Sequence, residues 1–154
     1  FERLLFEMLE RDGAKTKSLM DDFAASGKFT LDATVMARAQ SLFSAYRLDD
    51  SGTIAEIAST SKNDGMVLDP HSAVGLSAAR RARLDGTIAS DIPIVSLACA
   101  HPAKFETAVK IATGTAPTLP PHIADLMTRS EKMQTVAADR DVVKALVLEQ
   151  RRSA

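Results

Sequence analysis

An apolar run that ends in Cys-Ala-His-Pro constrains this chain more than any other stretch. Residues 94–99 read Ile-Val-Ser-Leu-Ala-Cys, preceded by Ser90-Asp91-Ile92-Pro93 and followed by Ala100-His101-Pro102. That length and those flanks predict a buried strand. His101-Pro102 then predicts a helix start, because proline in the first turn lacks an N–H that would have no helical partner there. Phe105, Ala108, Val109 and Ala112 follow at helical spacing and would press this helix onto a sheet. The carboxyl end of a strand that runs into a helix is where α/β proteins dock ligands. The turn at Cys99, Ala100 and His101 is therefore the expected edge of a site.

Most of the remaining chain reads as helix. Phe1 to about Arg11 carries Leu4, Leu5, Met8 and Leu9 on a helical face and is closed by Asp12-Gly13. A second helix is expected from Thr16 to Ser26, with Gly27 as its stop. Asp32 is the expected cap of the strongest helix, 33–48, whose stripe of Val35, Met36, Ala39, Leu42, Phe43 and Tyr46 faces a core. Residues 49–52 read as a turn, with Thr53 and Glu56 forming a capping box after it. Asp69-Pro70 opens another helix, and Arg80, Arg81 and Arg83 read as its solvated end. Beyond Gly114 come a proline-rich connector at 116–121, a short helix from His122 to Met127 and a last strand at 134–138. A final helix capped by Asp139 then carries Val142, Val143, Leu146 and Val147. The fold class is α/β with helix dominant and too few strands for a sheet of its own. Its blocks are 1–65 helical, 66–115 site-lining strand and helices, and 116–154 a C-terminal extension. The first helical face opens at Phe1 with no methionine and no capping residue before it, so the chain reads as part of a longer protein.

Composition narrows the chemistry. Of 154 residues, 45% are apolar and 25% charged, with a net charge of −1, a balance that gives no electrostatic reason to expect nucleic acid or an anionic membrane. No apolar run approaches the roughly 20 residues of a membrane helix. A lone cysteine forms no internal disulfide and suits a reducing compartment, here taken as the cytoplasm. His71, His101 and His122 are too far apart in sequence to suggest a metal site, and residues 63–65 lack the spacing of a calcium loop. The seven glycines are dispersed, so no glycine-rich loop exists here to cradle a phosphate. From the residues alone, Cys99 is a small buried hydrophobe, or a nucleophile in need of a base. His71, in a first helical turn, is either an exposed cap residue or a ligand contact.

Three sequence words are more specific. Phe1-Glu2-Arg3-Leu4-Leu5-Phe6, Leu68-Asp69-Pro70-His71-Ser72-Ala73-Val74-Gly75 and Ala100-His101-Pro102-Ala103-Lys104-Phe105 occur in order and at suitable separations. Together they resemble the C-terminal part of threonine synthase, in its longer bacterial and fungal form. The resemblance implies a pyridoxal-phosphate enzyme of the tryptophan-synthase-like fold (fold type II), a lyase that converts O-phospho-L-homoserine and water to L-threonine and phosphate. It also implies that the Schiff-base lysine and the phosphate loop precede residue 1, in an N-terminal part that is this chain's partner. No catalytic residue is then expected among residues 1–154; Lys104 lies in a matched word but is not the family's Schiff-base residue. In the family a late-strand hydroxyl meets the pyridine nitrogen of the cofactor, and Cys99 stands where threonine is usual. Cys99 is thus the implied cofactor contact, and His71, Ser72, Ala100 and His101 are the implied lining. The words disfavour one rival reading, another fold type II lyase or dehydratase. A second, a non-catalytic helical interaction domain, is told apart by whether the lysine and the glycine loop precede residue 1.

Overall fold

Aspartate side chains start five of the helices in the computed structural model, which describes residues 1–152. Each of Asp12, Asp32, Asp49, Asp69 and Asp139 accepts backbone N–H groups that a first helical turn leaves unpaired. The helices are α1 Glu2–Met8, α2 Gly13–Ser26, α3 Ala33–Gln40, α4 Asp50–Asp64, α5 Pro70–Leu84, α6 Glu106–Thr113 and α7 Arg140–Arg152. Gly27, Gly65 and Gly114 end α2, α4 and α6 in the left-handed conformation that costs glycine little.

The chain divides into two units, the first Phe1–Pro117 and the second from Thr118 onward. In the first unit α1 packs against α2 and α3, burying Leu5, Met8, Thr16 and Val35. In the same unit α4 packs against both α5 and α6. Ile57 and Val109 are fully buried there, and Thr53, Thr60, Ala73, Ser77 and Ala82 let the helices approach closely. The buried hydroxyls are bonded locally: Thr53 Oγ1 donates to the Asp49 carbonyl at 2.8 Å and Thr60 Oγ1 to Glu56 at 3.3 Å. The second unit comprises short 3₁₀ turns at Pro121–Ile123 and Leu126–Thr128, then α7.

Several sequence expectations need correction. Among the described residues no strand is formed, at 94–99 or at 134–138. A strand needs a neighbour for its ladder, and these segments have none here. Val95 and Leu97, apolar enough to suggest burial, are 83% and 75% exposed. The first helix stops at Met8 rather than near Arg11, with Glu10 and Arg11 at positive φ, and the second begins at Gly13, under Asp12.

The helix expected over 33–48 ends at Gln40. Ser41 Oγ donates to the Arg38 carbonyl at 2.8 Å, and the Leu42 amide turns back to Ala39 at 3.1 Å, tightening the last turn. Phe43, expected in the core, is 52% exposed. Residues 50–52 are helix rather than turn, because Asp49 caps α4 one turn earlier than the expected Thr53–Glu56 box. The helix expected from His122 to Met127 is instead the two 3₁₀ turns. The arginines of α5 are engaged rather than simply solvated. Arg80 lies 3.2 Å from Glu56, Arg81 donates to the Arg47 carbonyl at 3.1 Å, and Arg83 donates to the carbonyls of Ala89 and Ile92.

Candidate functional site

The N-terminus of α5 and the end of the 94–99 segment meet at one carboxylate. Asp69 caps α5, accepting on Oδ1 from the amides of His71 at 3.0 Å and Ser72 at 3.4 Å. Its Oδ2 accepts from Ser72 Oγ and from the Ala100 amide at 3.3 Å. Ser72 Oγ also accepts from the Cys99 amide at 3.0 Å. Glycine at 75 keeps the same two segments close: a Cβ there would lie 3.1 Å from Ser96 Oγ, tighter than an ordinary contact.

Asp69 is 1% exposed and Ser72 is buried. Burial pushes the Asp69 carboxyl up, but hydrogen bonds from the Ser72 hydroxyl and the amides of His71, Ser72 and Ala100 outweigh it. Together they hold the carboxyl below its ordinary value. Asp69 is therefore ionised at neutral pH.

The expected site residues divide between this cluster and its rim. His71 Nδ1 lies 3.2 Å from Asp69 Oδ1, and its exposed ring packs on Phe105 with centroids 5.0 Å apart. Ser72, Cys99 and Ala100 are joined to Asp69 as described. His101 is adjacent in sequence but turns the other way: its Nδ1 accepts from the Ala103 amide at 3.2 Å and caps the 3₁₀ turn Pro102–Phe105. Cys99 is exposed, not buried as the bare sequence suggests, and its thiol makes a long 3.5 Å contact with the Leu97 carbonyl. Its main chain is held while its side chain stays available.

Asp69 is the residue that sequence reasoning understated. The Asp-Pro-His-Ser spacing signals a cap with a hydroxyl three residues on. Nothing in the sequence signals its reach to residue 100.

The match to known proteins covers this site and most of the chain. A family model described as "Threonine synthase, C-terminal" matches residues 72–147. Threonine synthase of Pseudomonas aeruginosa is 39% identical over 148 residues, covering 96% of this chain and 31% of the relative. That of Methylobacillus glycogenes is 31% identical, covering 97% of this chain and 31% of the relative. Among solved structures, pyridoxal-phosphate-bound threonine synthase from Brucella melitensis superposes with a TM-score of 0.68 at 40% identity, covering 97% of this chain and 31% of that one. Yeast threonine synthase gives 0.66 at 26% identity, covering 100% of this chain and 34% of that one. The chain thus spans about a third of the length of the relatives it matches. Family model, relatives and solved structures agree that this chain is similar in sequence and fold to threonine synthases, and the family model sets the likeness in their C-terminal part.

Proposed function

We propose that this chain is the C-terminal part of a threonine synthase, which converts O-phospho-L-homoserine and water to L-threonine and phosphate with pyridoxal phosphate. The observation that carries the reading is the joint between α5 and residue 99. It holds the main chain of Cys99 and leaves the thiol open, at the position the family gives to its cofactor contact.

The residues present suit that cofactor. When bound, pyridoxal phosphate supplies an electron sink that eases loss of protons from substrate carbon. Cys99 is assigned to the pyridine nitrogen. A thiol is a weaker donor than the hydroxyl usual at that position, of similar size, and fits the same place. His71 and Ser72, with Ala100 and His101, are assigned to the surrounding wall. The lysine that would hold the cofactor and the loop that would hold its phosphate are assigned to the part of the protein preceding residue 1. The chain alone is then inactive. A cytoplasmic setting belongs to the same reading, supported by the free, exposed thiol of Cys99.

The test is a product assay on the longer protein with phosphohomoserine. Threonine and phosphate in equal amounts are expected. A 2-oxo acid and ammonia as the main products would make it a dehydratase. No turnover with the cofactor bound would contradict the enzyme reading.

A further inference from the structure

The Asp69 carboxylate does two jobs, one on each oxygen. Capping α5 occupies Oδ1, through the amides of His71 and Ser72. Oδ2 reaches across 31 residues of sequence to the Ala100 amide and also receives the Ser72 hydroxyl. That hydroxyl in turn receives the Cys99 amide, 27 residues away. Two consecutive amides are therefore tied to one helix start, and they flank the Cα of Cys99. Each peptide unit is planar, leaving only two soft torsions between them. Fixing both units fixes those torsions and the direction of the Cys99 Cα–Cβ bond. The exposed thiol, with its one long contact to Leu97, does little to fix that direction itself.

We propose that Asp69, acting through Ser72 and the two amides, is a positioning residue that aims the side chain of residue 99 at the cofactor ring. The proposal rests on the reading that residue 99 faces that ring. Asn in place of Asp69 keeps the volume but turns one acceptor oxygen into an NH₂ group. That group would confront donors already pointing at it, either Ser72 Oγ with the Ala100 amide or the two capping amides. Ser72→Ala removes the link to Cys99 and leaves the cap of α5 intact. Ser72→Thr keeps the hydroxyl.

The test follows alkylation of Cys99 by iodoacetamide in the longer protein, with and without pyridoxal phosphate. Modification is quantified by mass spectrometry of the Cys99 peptide, and cofactor occupancy is checked by visible absorption. In the parent, bound cofactor should slow alkylation roughly tenfold by blocking access to the thiol. In Asp69→Asn with cofactor bound, protection should fall to about threefold or less, because the thiol is no longer aimed at the ring. If Asp69→Asn does not fold, Ser72→Ala should show the same loss. Ser72→Thr should keep the protection. Full protection in the parent and equally in the folded Asp69→Asn or Ser72→Ala protein would overturn the positioning role while leaving the placement of residue 99 intact. Loss in Ser72→Thr as well would point to packing rather than hydrogen bonding and would also overturn it. No protection in the parent would remove residue 99 from the ring, overturning that placement and the proposal with it.

Discussion

A thiol and a hydroxyl of similar size differ chiefly in how strongly they donate a hydrogen bond. With Cys99 at the ring nitrogen, Cys99→Thr should leave kcat of the longer protein within a few-fold of the parent. Cys99→Asp should draw a proton onto that nitrogen, since a carboxylate favours the charged partner. Visible absorption spectra with substrate should then change, along with the rate. Unchanged spectra and rates in the aspartate variant would take residue 99 away from the ring. Asp69 makes a separate prediction about stability. Its carboxyl is held below the ordinary value of 3.8, so its ionised form is favoured by folding. That contribution is fully present above 3.8 and is lost as pH falls through the folded-state value. Asp69→Asn should therefore cost about 1–3 kcal/mol at pH 7 by leaving buried donors badly paired. The gap between parent and variant in denaturant unfolding should narrow as the pH drops below 3.8. A gap independent of pH would mean the cost is packing alone. At this scale the sequence was legible where chemistry is local. Asp32, Asp69 and Asp139 sit within three residues of the amides they receive, whereas the bonds from Cys99 and Ala100 depend on tertiary placement.

Helix ends were legible at the glycine stops of α2 and α6, but their starts were not. Helix α2 begins at Gly13 rather than Thr16, and α6 begins at Glu106 without a side-chain cap, after the 3₁₀ turn that His101 caps. The stripe in residues 33–48 continued past Gln40 on paper, but Ser41 bonds to its own helix and the chain leaves at that point. The strand at 94–99 was misjudged for a different reason. Apolar periodicity reports what a segment needs, not whether its neighbours lie within the same chain. Packing places the weight on α4 instead of the stretch after α3. Ile57→Ala should cost about 2–5 kcal/mol, since the side chain is fully buried on α4, the helix that packs against both α5 and α6. Phe43→Ala should cost less than about 1 kcal/mol, because the ring is half exposed. Denaturant unfolding of both variants, in the longer protein, compares them directly. A larger loss for Phe43 than for Ile57 would return the core to the 33–48 stripe.

At the scale of the whole molecule, the chain is about a third of the proteins it resembles. The apolar side chains of Val95 and Leu97 are left uncovered beside the joint at Asp69. The resemblance carried by residues 1–6, 68–75 and 100–105 was legible from end to end, because such words survive without knowledge of the fold. The account that follows gives residues 1–154 one wall of a pyridoxal-phosphate site and assigns the nucleophile to the preceding part. Residues 1–154 alone should thus release no phosphate from phosphohomoserine, as a colorimetric phosphate assay would record. The most direct measurement is borohydride reduction of the longer protein with its cofactor, followed by peptide mapping of the tagged lysine. The account predicts one stoichiometric tag, on a lysine outside residues 1–154. A tag on any of Lys15, Lys17, Lys28, Lys62, Lys104, Lys110, Lys132 or Lys144, or no tag at all, would contradict it.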